Sequence, residues 1–402
     1  MSAQASPSST PPEARPRSRP VSLKQLTQAD FGSLRVIITL AVIWLIFTIA
    51  NDRFLTPINL TNLTLQIAAT GMISIGVVLV LLLGEIDLSV GIVSGLAGAV
   101  MAVLTVKHGW SPVAAIAAGL AVGAAIGAFH GFIHTRFGVP SFVVTLAGLL
   151  GWQGALLWVL GDTGTINLRD PVIVALAGTF FTPALGWAVA LAMIVFYAAV
   201  LIVTRRTRIR AGLEAPSSPT VARRVAAVAI PVLVTVWVLN QDRGLPLALV
   251  ILVGFVIVFD VLTRRTRFGR NIYAIGGNEE AARRAGIAVN RVRTTVFALA
   301  GILAACGGML AASRLLAVSQ NSGGSDLLLL AIAGPVIAGT SLFGGRGTVW
   351  SALLGALVIG SISNGMDLTA VSSDVKFMVT GAVLLLAVIA DALTSMRRTR
   401  TT

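Results

Sequence analysis

The chain has 402 residues, of which 56% are hydrophobic and 11% are charged, and its formal net charge is +14. A soluble domain carries roughly 25% charged residues, so this composition excludes an ordinary soluble globular protein. The single cysteine, Cys306, excludes an internal disulfide and cannot form a zinc site alone.

Residues 1–33 are rich in Pro and Ser and contain no apolar core, which predicts a disordered cytoplasmic tail rather than a secretory signal. Apolar segments then follow along the chain, and a membrane-spanning helix needs about 20 mostly apolar residues. Twelve segments approach that length: 34–50, 61–83, 88–106, 112–133, 141–160, 183–203, 225–240, 246–263, 294–315, 327–342, 348–366 and 375–394. Several are short, so broken or re-entrant helices are expected.

The fold class predicted from these segments is all-α, a polytopic membrane bundle of about 10–12 transmembrane helices over 34–396. The residues 397–402 form a short basic tail. The stretch 172–181 is too short to span the bilayer and is predicted to lie at its interface.

The basic residues follow the predicted loops. If the first segment starts in the cytoplasm, 24 of the 30 Lys and Arg residues fall on the cytoplasmic side. This asymmetry follows the positive-inside rule, and it predicts that both termini are cytoplasmic. It also explains the high positive charge without a nucleic-acid partner.

Two acidic residues, Glu85 and Asp87, interrupt an apolar run in LLLGEIDLSVG (81–91). Ionisable groups at membrane depth are costly and usually face a cavity or a partner. In one interpretation they lie at the cytoplasmic interface, where Asp87 or Ser89 caps the next helix. In the other they lie beside a transport pathway or at a seam with a cytosolic partner, and the sequence leaves both open.

His130 and His134 are separated by one helical turn near a predicted helix end. A pair of histidines with this spacing can bind a metal, but no third ligand is evident nearby. We therefore interpret them as interfacial histidines and predict no metal site. Trp152 and Trp158 are interpreted as residues of the interfacial aromatic belt.

Two internal similarities bear on the organisation of the bundle. VTRRTRIR (203–210) resembles LTRRTRFGR (262–270), and two predicted spans lie between them. This favours an extra helix pair over 205–262, although RRTR can also be a generic basic anchor. The stretches 86–98 and 325–336 resemble each other weakly and start on opposite faces, as inverted repeats would.

The loop 264–293 is the most polar internal stretch, and it contains a well-formed short helix. Asn278 is placed to cap its N-terminus and Gly286 to close its C-terminus. Glu279 and Glu280 stand one turn before Arg283 and Arg284, an orientation that favours both pairs and the helix dipole. A preorganised helix with a small-residue face indicates docking onto a cytosolic partner. The alternative, binding to anionic lipid, lacks large apolar anchors.

Four motifs carry a family resemblance: GEIDLSVG (84–91), VPSFVVTLAG (139–148), GRNIYAIGGNEEAARRAGI (269–287) and GTSLFGGRGT (339–348). Together they resemble the membrane subunits of bacterial ABC importers for monosaccharides. Within that family, the extra helix pair and the VPSFVVTLAG form are most similar to the xylose-type permease.

The resemblance implies a homodimer in the bacterial inner membrane, two copies of a cytosolic ABC ATPase docked on the 278–286 helix of the coupling loop 264–293, and a sugar-binding protein outside. No phosphate loop of the GxxxxGK[ST] type occurs in the chain, so no enzymatic activity and no cofactor are expected in it. The residues expected to couple to the ATPase are Arg267, Gly269, Asn278, Glu279, Glu280, Ala282, Arg283, Arg284 and Gly286.

A path for sugar needs weak contacts to hydroxyl groups. The candidates are Glu85, Asp87, Ser89, Ser141, Thr145, Gln153, Asn321, Asp326 and Asn364. We expect a permease for a pentose, most specifically xylose. The alternatives are the same architecture carrying ribose, another sugar or a nucleoside, and an ion-coupled secondary transporter.

Overall fold

The computed structural model describes residues 23–399, and over that range the chain folds into helices joined by short connections. The helices are α1 (Leu23–Ala50), α2 (Pro57–Leu82), α3 (Val90–Val106), α4 (Pro112–Phe137), α5 (Ser141–Leu160), α6 (Pro171–Gly178), α7 (Pro183–Arg210), α8 (Ser218–Leu239), α9 (Leu247–Arg265), α10 (Arg267–Gly277), α11 (Glu279–Arg284), α12 (Val289–Leu315), α13 (Ser325–Ile337), α14 (Trp350–Leu368) and α15 (Ser373–Thr399). Four short strands are β1 (Thr165–Asn167), β2 (Phe180–Phe181), β3 (Leu245–Pro246) and β4 (Ala317–Ser319).

The all-α bundle predicted from hydropathy is confirmed. Each of the twelve predicted apolar segments coincides with a helix, and the stretch 172–181 contains the short helix α6. Within the described range, eight helices are long and apolar enough to cross a membrane. The helix α1 begins at Leu23, inside the predicted tail 1–33, while residues 1–22 and 400–402 of the two predicted tails lie outside the described residues.

The core of the bundle is built around α2 and α12. Most of α2 is buried from Leu63 to Leu82, because other helices surround it on all sides. Small residues let α12 approach it closely: a Cβ on Gly307 would lie 2.8 Å from the Ala69 carbonyl oxygen. Such close backbone contact is how helices gain van der Waals energy in an apolar solvent, where the hydrophobic effect between helices is absent.

Two helices of this core, α3 and α13, are too short to cross a bilayer alone. With 17 and 13 residues, they extend about 25 Å and 20 Å at 1.5 Å per residue, against a hydrocarbon core of about 30 Å. Their N-terminal ends meet inside the bundle, where a Cβ on Gly323 would lie only 2.1 Å from the Gly91 carbonyl oxygen. The backbone of Gly323 has φ of +75°, which a larger residue would adopt only with strain.

The meeting of α3 and α13 confirms the expected broken helices, and it agrees with the weak match between 86–98 and 325–336. The two helices start from one place and run towards opposite ends of the bundle. The non-helical segments 83–89 and 320–324 lead into the two helices.

A peripheral hairpin is formed by α7 and α8. It leaves the bundle after β2 and returns at β3, and these strands pair antiparallel, Phe180 with Pro246 and Phe181 with Leu245. The next helix, α9, belongs to the main core through Leu252 and Val256. The predicted extra pair, 205–262, therefore includes one peripheral helix, α8, and one core helix, α9.

The two ends of the bundle differ in character. We call the end that carries α10, α11 and the turn 338–348 the basic end, because residues 264–293 concentrate arginine there. We call the other end, where β1 pairs with β4 and β2 with β3, the strand end.

Candidate functional site

A unit of two short helices, α10 and α11, stands at the basic end. Thr266 caps α10, since its Oγ1 accepts a hydrogen bond from the Gly269 amide at 3.1 Å. Asn278 caps α11, since its Oδ1 accepts a hydrogen bond from the Ala281 amide at 2.9 Å. The predicted cap at Asn278 is confirmed, whereas α10 was not predicted.

The charge pattern of α11 also agrees with the sequence. Arg283 pairs with Glu279 at 2.7 Å, and Arg284 pairs with Glu280, both across one helical turn. Gly286 follows the helix with φ of +79°, the left-handed conformation predicted for it. These features favour the helical conformation of α11.

The side chains of α11 divide between an inner and an outer face. Ala282 is buried in the main core, so it packs α11 onto the bundle rather than facing a partner. Glu280 and Arg284 point outward, with 73% and 78% of their side-chain surface exposed. An approaching partner therefore meets this charge pair first.

The helix α10 is fixed tightly to the body of the bundle. Gly276 lies so close to the end of α2 that a Cβ would come within 1.9 Å of the Leu82 carbonyl oxygen. The Tyr273 hydroxyl donates a hydrogen bond to the Gly347 carbonyl at 2.9 Å. Burial raises the pKa of Tyr273, which keeps the hydroxyl protonated as a donor. Of the other predicted coupling residues, Gly269 is buried and Arg267 is exposed at the start of α10.

Glu279 faces inward and meets Arg293 of α12. Its two carboxylate oxygens accept hydrogen bonds from Arg293 Nη1 at 2.9 Å and Nη2 at 2.7 Å, a fork-to-fork geometry. Partial burial would raise the pKa of Glu279, but the hydrogen bonds and charges of Arg293 and Arg283 outweigh it and hold the pKa below its ordinary value. Glu279 is therefore ionised at neutral pH.

The same guanidinium reaches a second carboxylate. Arg293 Nη2 lies 2.8 Å from Glu85 Oε1, and His134 Nε2 lies 3.2 Å from that oxygen. Burial would raise the pKa of Glu85, yet hydrogen bonds from His134 and Ser141 and the Arg293 charge bring it below its ordinary value. We call the arrangement of Glu85, Arg293 and Glu279 the Arg293 bridge.

Asp87 and Ser89 lie deeper, at the start of α3. Asp87 Oδ1 accepts hydrogen bonds from the Ser89 amide at 2.8 Å and from the Ser89 hydroxyl at 2.6 Å. His130 Nδ1 lies 3.3 Å from that hydroxyl, and Trp152 Nε1 donates to His130 Nε2 at 2.9 Å. Because an indole N–H only donates, His130 Nε2 accepts and its proton is on Nδ1. Asp87 thus stabilises the turn before α3. A chain of hydrogen bonds runs from Asp87 through Ser89 and His130 to Trp152.

Two further predicted path residues hold the segment 83–89. Ser141 Oγ accepts a hydrogen bond from the Ile86 amide at 3.3 Å, and Thr145 Oγ1 accepts one from the Leu88 amide at 3.1 Å. The structure therefore brings together Glu85, Asp87, Ser89, Ser141 and Thr145 around one non-helical segment.

The remaining path candidates lie elsewhere. Gln153 Nε2 donates to the Gln320 carbonyl at 3.3 Å, and Asn364 pairs with Asn59. Asp326, in the first turn of α13, lines a cavity of about 270 Å³ between α2, α3, α12 and α13. Asn321, Ser94 and Thr70 also line this cavity, so its wall can hydrogen-bond to hydroxyl groups.

The two histidines and Trp152 differ from their predicted settings. His134 donates from Nδ1 to the Val139 carbonyl at 2.7 Å and faces Glu85, while His130 is buried. Trp152 donates inward to His130, whereas Trp158 is 84% exposed, as a belt residue would be. Among the described residues, no group of three or more His, Cys, Asp or Glu side chains is placed to hold a metal ion.

Sequence reasoning did not single out Arg293, the residue that joins the two carboxylates. The side chain of Arg293 is 12% exposed, and it lies in the polar first turns of α12, just before the apolar part of that helix. The available signal was a basic residue at the boundary between the predicted loop 264–293 and the predicted span 294–315, because a charge beside an apolar span usually has a partner.

Comparisons with known proteins agree with this architecture. The family described as "Branched-chain amino acid transport system / permease component" matches residues 59–388. The xylose transport system permease protein XylH of Escherichia coli (strain K12) is 38% identical over 376 residues, covering 93% of this chain and 94% of the relative. XylH of Haemophilus influenzae is 36% identical over 357 residues, covering 89% and 95%. The ribose import permease protein RbsC of Bacillus subtilis (strain 168) is 36% identical over 352 residues, covering 88% and 90%. No solved structure matches the chain.

Proposed function

The chain belongs to the family of branched-chain amino acid transport system permease components, and from this membership we propose that it is the permease subunit of an ATP-driven importer for a monosaccharide, with xylose as its cargo. It is a multi-pass protein of the inner membrane. The alternative cargo within the same family is ribose, which the similarity to the ribose import permease supports.

The observation that carries the proposal is the unit α10–α11. It is fixed to the bundle through Gly276, Ala282 and Tyr273, yet it presents the exposed pair Glu280 and Arg284 outward. A helix held this firmly transmits force instead of bending when a partner pushes on it. We propose that a cytosolic ABC ATPase docks here, which places the basic end and both termini in the cytoplasm.

In the proposed mechanism, two copies of the chain form a homodimer with one pathway, and each copy carries one ATPase. A sugar-binding protein docks at the strand end, outside the cell, and lipid surrounds the exposed apolar side chains. ATP binding draws the ATPases together and moves the docked α11 helices. The state open to the outside is favoured only to the extent that the ATPase and the binding protein bind it more tightly than they bind the other state.

The sugar path in this proposal follows the polar groups already described. The cluster around 83–89 forms its cytoplasmic part, and the cavity lined by Asp326 and Asn321 forms a polar pocket nearer the strand end. Neutral hydroxyl and amide groups suit a sugar, since their hydrogen bonds give a low affinity that allows the sugar to be released. Asn364 is excluded from this narrower proposal because its amide is already paired with Asn59.

An ion-coupled secondary transporter fits the charges less well. Such a transporter places ionisable groups along its path through the membrane. Among the described residues, the buried acidic side chains are Glu85 and Asp87, and both lie in the connection between α2 and α3 rather than within a helix.

The docking proposal predicts that reversal of the outward charges of α11 releases the ATPase. In the variant Glu280→Arg with Arg284→Glu, the two side chains still pair, but the surface offered to the partner has the opposite polarity. We expect the ATPase to stop co-purifying with the permease from membranes, and uptake of labelled xylose to be lost, while the permease remains in the membrane.

The matched control is Arg206→Glu, an exposed basic residue of the peripheral helix α7. It changes charge at the same end of the bundle but far along the chain from α11, so the ATPase should still co-purify. Unchanged co-purification in the double variant would contradict docking on α11. Failure of any ATPase to co-purify with the wild-type chain would contradict the proposed function as a whole.

A further inference from the structure

The Arg293 bridge joins three elements that are far apart in sequence. Glu279 is on α11, Arg293 is on α12, and Glu85 is in the segment 83–89. The distances are 2.7 and 2.9 Å on the side of Glu279 and 2.8 Å on the side of Glu85. One guanidinium therefore binds α11 and the segment 83–89, which precedes α3, at the same time.

Neither element needs this contact for its own local structure. Helix α11 already has its cap at Asn278 and its two charge pairs, and the segment 83–89 is held by Ser141 and Thr145. The bridge joins the unit α10–α11 to the core, although local folding does not require it. It can therefore connect the movements of these two parts. Arg suits this task because its planar fork fixes direction as well as distance.

The inner part of the bridge, between Arg293 and Glu85, is sheltered from solvent, whereas the Glu279 side chain is 37% exposed. The side chains of Arg293 and Glu85 are 12% and 11% exposed, whereas Glu280 and Arg284 are largely exposed. Charge-assisted hydrogen bonds are stronger and less screened by salt in such a setting. A displacement of Glu279 acts on Arg293 through two hydrogen bonds, and the sheltered contact of Arg293 with Glu85 carries it further.

The segment that Glu85 belongs to leads directly to the start of α3. Two residues after Glu85, Asp87 stabilises the turn into α3 with Ser89, which lies against His130. A few residues further, Gly91 meets Gly323 before the start of α13. A shift at Glu85 is thus delivered to the place where the two broken helices meet.

We propose that Arg293 is a positioning residue of transport, which transmits the movement of the docked helix α11 through Glu85 to the segment 83–89 and the start of α3. This inference rests on the proposed function, because it takes α11 to be the site where the ATPase docks. In this proposal Arg293 contacts neither the ATPase nor the sugar. Its role is to couple the movement of α11 to the movement of the segment 83–89.

The test is to separate transport from ATP hydrolysis in the assembled transporter. For Arg293→Gln, which removes the charge and shortens the side chain while keeping a polar amide, we expect the ATPase to co-purify and to hydrolyse ATP. Uptake of labelled xylose per ATP hydrolysed should fall by about tenfold or more, within the range typical of coupling between two sites. Glu85→Gln should give the same phenotype, and the double variant should lose little more than either single one.

A second variant covers the case in which the first does not fold. Arg293→Lys keeps a positive charge between the two carboxylates but lacks the planar fork, so the ratio of uptake to hydrolysis should fall to an intermediate value. The control is Arg264→Gln, which removes the half-exposed partner of Asp260 on α9, outside the bridge, and should leave that ratio unchanged.

Three results would overturn the inference. One is an unchanged ratio of uptake to hydrolysis in both Arg293 variants. Another is additive loss in the double variant with Glu85, which would mean that the two residues act separately. The third is loss of the ATPase from the Arg293→Lys complex, which would make Arg293 part of the docking surface. Absence of the ATPase from the wild-type complex is a different result, and it would count against the proposed function.

Discussion

At the scale of single residues, polar side chains between helices mainly stabilise helix packing through hydrogen bonds. Asn59 of α2 and Asn364 of α14 exchange two hydrogen bonds, at 2.8 and 3.0 Å, and the Asn59 amide also donates to the Phe54 carbonyl at 2.8 Å. Both residues are 8% exposed, so water does not replace a lost partner. The pair explains why Asn364 is polar without giving it a part in transport.

Replacement of Asn364 by Ala is therefore expected to weaken the fold and leave docking intact. The loss of both hydrogen bonds between Asn59 and Asn364 should cost about 1 kcal/mol of unfolding free energy, the scale of hydrogen bonds between membrane helices. Thermal unfolding in detergent measures this loss, and co-purification of the ATPase should not change. Asn62→Ala on the exposed face of α2 is the control, with an effect within about 0.5 kcal/mol. Equal effects of the two substitutions would refute the role of the pair.

The sequence predicted some of these residues and missed others for a physical reason. The local structural roles of Asn278, Glu279 and Gly286 in α11 were predicted correctly, because capping and charge pairing act within one or two turns. Arg293 was missed because its partners, Glu85 and Glu279, come from distant parts of the chain. Long-range pairing of this kind depends on how helices pack, which a hydrophobic pattern does not encode.

At the scale of elements, the hairpin of α7 and α8 has the form of a separable unit. It begins after Phe181 of β2 and ends before Leu245 of β3, and these two residues are directly paired. Its inner surface is small, with Ala190, Val236 and Leu239 as its buried apolar side chains in the cluster shared with Leu245 and Leu249. Removal of two helices also leaves the direction of every later span unchanged.

We expect excision of 183–243, with a short glycine linker between the strands, to leave a permease that still inserts and still binds the ATPase. The chain ends at the cut already lie side by side, so closure requires little rearrangement. Excision of 211–262 is the comparison, because it removes Leu252 and Val256 of α9 from the main core and should abolish folding. Extraction of the shortened chains from membranes measures insertion, and co-purification of the ATPase measures binding. Equal loss in the two deletions would show that α7 and α8 are integral to the core.

The elements themselves were largely predictable, since apolar length and flanking charge determine which segments can cross a bilayer. The helix α10 was not, because RFGRNIYAIGG contains three glycines and no long apolar run. Its stability comes from contacts with Leu82 and Gly347, which are known only once the bundle is assembled.

At the scale of the whole molecule, the basic end and the strand end should face opposite sides of the membrane. In a Cys306→Ala background, Arg284→Cys tests the basic end and Asp162→Cys tests the strand end, since both positions are exposed. An impermeant maleimide added to intact spheroplasts should label the variant at Asp162, and it should label the variant at Arg284 only after the membrane is opened. The reverse pattern would invert the orientation and with it the docking proposal.

The meeting of α3 and α13 has a consequence for the lipids around the protein. Peptide groups outside a helix cannot be left in hydrocarbon, because nothing there satisfies them. The irregular backbone at 83–89 and 320–324 adjoins the buried helices α2 and α12, while α1, α5, α7 and α8 expose apolar side chains outward. The acyl chains thus contact the apolar outer faces of complete helices, while the segment 83–89 is largely buried and can rearrange without exposing polar backbone to the bilayer.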